Sequence, residues 1–125
     1  MAWKGLEGIG GRRIGAGVWR WVAYHPEWEE DVACAAIDSE GGLVLVDPLL
    51  PAGLKGKAAL DGLEACGEPP AIVLTVFYHE RSAGDILERI PGTALWAEES
   101  GVDRVESEVT HPFAAGDALP GGLMA

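Results

Sequence analysis

Turn-forming residues divide this chain into short segments. Its 125 residues include 18 glycines and 8 prolines, spread along the whole sequence. Because glycine and proline interrupt helices and strands, the sequence predicts short elements joined by many loops. Hydrophobic residues make up 48% of the chain, so it can bury a core, and the composition argues against intrinsic disorder.

The apolar pattern predicts a β-hairpin followed by alternating strands and helices. Strands are predicted for residues 18–23, 32–37, 43–46, 71–76, 94–97 and 108–113, helices for 57–66 and 82–90, and one helical turn for 100–105. Hairpin strands are antiparallel, whereas strands separated by a helix are typically parallel. We therefore expect an α/β (α+β) fold with a mixed sheet and helices on at least one face.

Charge and terminal composition limit the partners and the location of the protein. Residues 1–17 are rich in glycine and contain three basic residues, and we predict a basic arm ahead of a domain at 18–125. The net charge of −11 repels nucleic acids and anionic membranes, so we expect neither as a partner. No secretory signal is recognisable, and Cys34 and Cys66 match no metal or redox spacing, which predicts a cytoplasmic protein.

Polar side chains follow the clearest predicted strand, residues 71–76. Sites in α/β sheets form at the carboxyl ends of strands. We assign His79 and Glu80 as candidate catalytic residues, each able to act as a general base. Tyr78, Arg81 and Asp47 are candidate substrate-binding residues, with Arg81 suited to an anionic ligand. The alternative is a solvated loop without function.

Three sequence motifs resemble those of the metallo-β-lactamase fold superfamily. The strand end VDP at 46–48 is similar to that family's Asp-x-Gly. Leu74-Thr75, with Gly84 beyond, resembles the frame of its Leu-Thr-His-x-His-x-Asp-His motif, and FAAGD at 113–117 is similar to a later turn. The resemblance implies about one half of an αββα sandwich, with the chain truncated at its carboxyl end. A lone half would expose an apolar sheet face, so we expect self-association.

The metal-binding motif is broken in this register. Its four ligand positions fall on Val76, Tyr78, Glu80 and Arg81. Zinc sites need three or four nitrogen, sulfur or oxygen ligands, and a fixed guanidinium repels a divalent cation. We therefore predict no metal ligands and no cofactor, with zinc disfavoured. Arg81 is expected to replace the metal electrostatically, pairing with Glu80, with Asp47 or with a bound anion.

Three functions remain open on this sequence. The first is a metal-free pseudo-enzyme that binds a small-molecule or anionic ligand. The second is a divergent hydrolase for an ester, thioester or phosphodiester, which would use Glu80 or His79 as its base rather than two zinc ions. The third is a structural or interaction protein. The resemblance implies a hydrolase superfamily, but it leaves the enzymatic status undecided.

Overall fold

One seven-stranded sheet, with its strands in chain order, forms the centre of the structure. The structure is a computed structural model, and it describes residues 3–125. The strands are β1 (Arg12–Gly15), β2 (Val18–His25), β3 (Glu30–Ser39), β4 (Gly42–Val46), β5 (Ala71–Val73), β6 (Ala94–Glu98) and β7 (His111–Phe113). The helices are α1 (Leu54–Glu64) and α2 (Ala83–Arg89), with short 3-10 helices at Glu7–Ile9, Phe77–His79, Glu99–Arg104 and Pro120–Gly122.

The sheet changes from antiparallel to parallel at β4. The strands β1 to β4 form an antiparallel meander, and β4 to β7 pair in parallel. Parallel neighbours need long connections, which α1, α2 and the 3-10 helix after β6 supply. The predicted mixed α+β fold is therefore confirmed. The predicted strand 71–76 ends earlier, at Val73, because Thr75 turns its N–H away from the sheet and towards Asp47.

Both α-helices pack on one face of the sheet. Their buried side chains, such as Leu63 on α1 and Ile86 on α2, join one apolar cluster with Leu45, Ile72 and Leu95 of the central strands. Successive residues of a strand point to opposite faces, so this cluster uses alternate positions of each strand. The carboxyl ends of β4, β5 and β6 are thereby held side by side. Among residues 3–125, no helix is long and apolar enough to cross a membrane.

The amino-terminal segment packs as part of the core. Trp3, Leu6 and Ile9 are buried in the helix-side cluster, and the Trp3 indole N–H donates to the Ala59 carbonyl of α1 at 2.8 Å. The sequence analysis predicted a basic arm for 1–17, and the described part of that segment instead covers α1 and continues into β1. The signal was an apolar residue at every third position, the repeat of a 3-10 turn.

The opposite face of the sheet, here called the open face, carries no α-helix in the described residues. Its side chains are Val18, Val22, Tyr24, Ala35, Ile37, Val44, Val46, Val73, Trp96 and Phe113. The segment 114–125 folds back over part of this face, where Gly121 lies against Ile37 and Val44. Gly121 has φ +74°, and an added Cβ would lie 3.1 Å from Val44, so glycine is required there. A groove of about 630 Å³ runs between this segment and the sheet.

The first prediction tests the packing of the amino-terminal segment. Leu6→Ala should lower the free energy of unfolding by about 2–5 kcal/mol, because it leaves a cavity in the core. Leu54→Ala makes the same change at a residue that is 85% exposed, and it should cost about 0.5 kcal/mol or less. Urea unfolding followed by circular dichroism measures both. Equal stability of the two variants would contradict the packed segment.

Candidate functional site

Asp47 is the centre of the polar cluster at the carboxyl ends of β4 and β5. Its side chain is buried, with only 7% of the residue exposed. One carboxylate oxygen accepts the Thr75 N–H at 2.8 Å, and the other accepts the Thr75 hydroxyl at 2.5 Å. The Asp47 N–H donates to Val73 of β5. Because a buried carboxylate is stable only when it is hydrogen-bonded, these contacts hold the ends of β4 and β5 together.

His79 completes this cluster through a short helical turn. Its Nδ1 lies 3.0 Å from the Asp47 carboxylate and 3.2 Å from the Thr75 hydroxyl. The 3-10 helix Phe77–His79 returns the chain towards Thr75, so that the two side chains meet four residues apart. An Nδ1–H donated to the carboxylate leaves Nε2 as the basic nitrogen of a neutral imidazole. The geometry is that of an oriented histidine base.

Arg81 binds the main chain from the other side of Asp47. Its Nη1 donates to the Asp47 carbonyl at 2.7 Å and to the Ala33 carbonyl at 3.1 Å, and it lies 3.8 Å from the Cys34 sulfur. Its buried Nε has no acceptor within residues 3–125. Arg81 was expected to pair with Glu80, with Asp47 or with a bound anion. It contacts Asp47, but through the main-chain carbonyl. The carboxylates of Asp47 and Glu80 accept hydrogen bonds from other residues. Through these two hydrogen bonds, Arg81 links β3 to the end of β4.

Two residues of the cluster have left-handed backbone conformations. Asp47 has φ 49° and Arg81 has φ 47°, although neither is glycine. This conformation costs about 1–2 kcal/mol for a residue with a Cβ. The hydrogen bond from Arg81 to the Asp47 carbonyl and those from Thr75 to the Asp47 carboxylate offset that cost. Such outliers concentrate at sites where a structure needs an unusual side-chain direction.

Glu80 points away from Asp47 and binds a different loop. Its carboxylate accepts the N–H groups of Glu106 and Ser107 at 2.8 and 2.9 Å, and the Ser107 hydroxyl at 2.5 Å. Three donors occupy three of the roughly four lone-pair positions of this carboxylate. The structure therefore places the two predicted bases apart, with His79 beside Asp47 and Glu80 holding the loop after the Glu99–Arg104 helix.

Aromatic rings surround the exposed edge of His79. The Tyr78 ring meets it edge-on, with centroids 4.9 Å apart, and the Trp28 ring lies 5.9 Å away. The Trp28 ring stacks in turn on His25 at 4.3 Å, and the main-chain N–H of Trp28 donates to the His25 Nδ1. Trp28 is itself an exposed aromatic side chain. The exposed edge of His79 therefore lies among aromatic rings.

A polar cleft of about 620 Å³ lies beside this cluster, and we call it the loop cleft. Three loops form its walls: residues 25–27, 77–81 and 104–107. Two cations line it, Arg81 and Arg104, and the Arg104 guanidinium is held 4.9 Å above the Phe77 ring. Four carboxylates also line it, including Glu80, and the lining is therefore of mixed charge.

The residues of the cluster do not fit a metal ion. Within residues 3–125, no group of three or more histidine, cysteine or carboxylate side chains is placed to bind one. Asp47 and His79 supply two donors, and both are bonded to each other or to Thr75. Zinc needs three or four ligands. The guanidinium of Arg81 adds a permanent positive charge beside the Asp47 carbonyl.

Cys34 is buried beneath Arg81 and is a poor nucleophile. Its sulfur accepts the Leu49 N–H at 3.3 Å. Burial raises the pKa of the Cys34 thiol, and the hydrogen bond from Leu49 and the charge of Arg81 only partly oppose that rise. Because a thiol reacts as its thiolate, this cysteine is held in its unreactive form.

The sequence analysis missed several members of the cluster. Thr75 entered only as part of a motif frame, Cys34 only as a cysteine without metal or redox spacing, and Ser107 was not considered. Each acts through a partner at least fifteen positions away in the chain, such as Asp47 for Thr75 and Glu80 for Ser107. Thr75 had a usable signal, because it is a hydroxyl residue near the carboxyl end of the predicted strand 71–76. The other two had none.

Comparisons with known proteins support the fold. No family model matches the chain, and neither does any curated protein. A solved structure does match, the metallo-β-lactamase FIM-1 from Pseudomonas aeruginosa in its mono-zinc form, with a TM-score of 0.59 and 14% sequence identity. The match covers 86% of this chain and 51% of that one, so the chain spans about half the length of the lactamase. The predicted fold class, half of a metallo-β-lactamase-type fold, is confirmed.

The second prediction separates a structural role of Glu80 from a catalytic one. Glu80→Ala should lower the free energy of unfolding by about 1–3 kcal/mol, because it removes the acceptor of Glu106 and Ser107. Glu80→Gln keeps one carbonyl oxygen and should cost less. Glu108→Ala is the matched control, an exposed carboxylate in the same stretch of chain. Thermal and urea unfolding measure the three, and an unchanged Glu80→Ala would contradict this role.

Proposed function

We propose that this protein is a metal-free pseudo-enzyme of the metallo-β-lactamase fold that binds a small polar ligand in the loop cleft. The contacts of Arg81 carry the proposal. This guanidinium is fixed between the carbonyls of Ala33 and Asp47 by hydrogen bonds of 3.1 and 2.7 Å. In the register of the resemblance, it stands where the family's last metal-binding histidine stands. A permanent cation attached to the chain would take over the charge of a metal without its open coordination positions.

The loop cleft has the size and polarity for a small ligand. Its volume of about 620 Å³ lies within the range of known ligand pockets, roughly 300–1,000 Å³. Arg104 and Arg81 suit a carboxylate or phosphate group of the ligand, and the neighbouring acidic side chains suit hydroxyl or amino groups. We place this protein in the cytoplasm, an assignment supported by the reduced, buried thiol of Cys34.

The third prediction concerns metal and ligand binding. Protein purified without chelators should contain less than about 0.1 equivalent of zinc, iron or manganese, because two donors do not form a site. Elemental analysis by mass spectrometry measures the content, and added zinc should leave the melting temperature unchanged. One equivalent of tightly bound metal would refute the metal-free proposal.

A separate experiment tests ligand binding in the loop cleft. A library of small carboxylates and phosphates, screened by ligand-observed NMR, should yield compounds that bind the wild type and lose binding in Arg104→Ala. Arg89→Ala is the matched control, since Arg89 lies on α2 with Asp61 and Glu64 and does not line the loop cleft. Binding that survives Arg104→Ala and is lost in Arg89→Ala would place the ligand elsewhere.

The Asp47–His79 pair favours a second candidate function, a metal-independent hydrolase. The 3.0 Å contact orients His79 so that Nε2 could take a proton from water as the water attacks an ester, thioester or phosphodiester. Glu80 would then position the neighbouring loop rather than act as the base. The partial exposure of His79 gives water access to the imidazole.

The fourth prediction tests this hydrolase. A panel of ester, thioester and phosphodiester substrates should show turnover that falls about 100-fold or more in His79→Ala, the usual contribution of a general base. His111→Ala removes a histidine that stacks on Trp96, away from Asp47, and should leave the rate unchanged. Equal rates in wild type and His79→Ala would exclude His79 as the base.

A further inference from the structure

The open face leaves large apolar side chains uncovered on one side of the sheet. The segment 114–125 covers the face near Ile37 and Val44, towards the middle of the sheet. Towards β1, the exposed fractions reach 58% for Ile14, 42% for Val22 and 56% for Tyr24. Single exposed apolar residues are ordinary, but neighbouring ones on adjacent strands form a patch typical of an interface.

A pair of arginines lies on the same side of that patch. Arg12 of β1 is directly opposite Arg20 of β2, and strand alternation places both on the open face with Val22. Neither has a carboxylate within ion-pair distance in the described part of the chain. Like charges directly opposite on neighbouring strands destabilise a sheet. This edge of the open face is therefore complementary in charge to an acidic surface.

The far edge of the same face is acidic. Glu98 of β6 lines the groove on the open face, and Asp117 lies exposed in the segment that covers it. The exposed side chain of Met124 adds an apolar contact there. Because the strands run in chain order, the basic edge at β1 and the acidic edge at β6 and β7 lie at opposite ends of one surface.

We propose that two copies of this chain pack open face to open face, around a two-fold axis parallel to the strands. That axis lays the β1 edge of each copy over the β7 edge of the other, and so brings Arg12 and Arg20 to Glu98 and Asp117. An axis across the strands would instead lay β1 over β1 and bring the arginines together. The charge pattern therefore selects both the occupant, a second copy, and its orientation.

The fifth prediction is a dimer that depends on the open face. The chain at about 50 μM should sediment as a dimer in analytical ultracentrifugation. Val22→Glu should raise the dissociation constant at least tenfold, because it places a carboxylate inside the apolar contact. Leu54→Glu makes the same kind of change on α1, in the opposite layer, and should leave the dimer intact. A wild-type monomer at that concentration would overturn the proposal.

Charge reversal tests the orientation. The double variant Arg12→Glu, Arg20→Glu should weaken the dimer, and adding Glu98→Arg should restore much of it, since the paired edges then exchange signs. Glu98→Arg alone should weaken it. The monomer of each variant is checked for its circular dichroism spectrum, so that a folding defect is recognised. A dimer that the double variant leaves unchanged, or that Glu98→Arg does not restore, would overturn the arrangement.

Discussion

The buried carboxylate of Asp47 is the interaction on which the polar end of the sheet depends. The carboxylate joins β4 to the turn after β5 through Thr75, and it orients His79. The main-chain carbonyl of the same residue binds Arg81. Hydrogen bonds to a charged group are each worth about 1.5–3 kcal/mol, more than those between neutral groups. They offset the left-handed backbone at Asp47 and Arg81. Without this carboxylate, the loops around it would have no common point of attachment.

The elements with strong local patterns were predictable, and the contacts between loops were not. The strands around Val44 and Ile72, and the helix with Ile86, follow from short apolar runs bounded by turn residues. The direction of His79 depends on Asp47, 32 positions earlier in the chain, and on a 3-10 turn that no local pattern marks. Glu80 lies next to His79, yet its carboxylate binds a loop 26 positions later. Neighbours in sequence therefore have different roles here, and only the tertiary contacts separate them.

The two faces of the sheet differ in how completely they are covered. The side chains on the helix side form a buried core, which includes Trp3 and Leu6 of the amino-terminal segment. The open face is apolar as well, but only the segment 114–125 crosses it, and it leaves Val22 and Tyr24 exposed. A sheet that is apolar on both faces requires two covering layers, and the residues described supply one and part of a second. The likeness to about half of a lactamase and the exposed patch are thus two aspects of the same architecture.

A guanidinium and a metal ion differ in what they permit, and that difference gives the proposed function its physical meaning. Both are cations able to hold strand ends together, but Arg81 is covalently attached and has only hydrogen-bond donors to offer. It has no empty coordination position and cannot polarise a bound water as a Lewis acid does. On the proposed function, the alignment of Asp47 with His79 would not depend on a bound metal ion. Chemistry that uses the Asp47–His79 pair would then proceed by proton transfer at His79, and the arginines would bind ligand groups that accept hydrogen bonds.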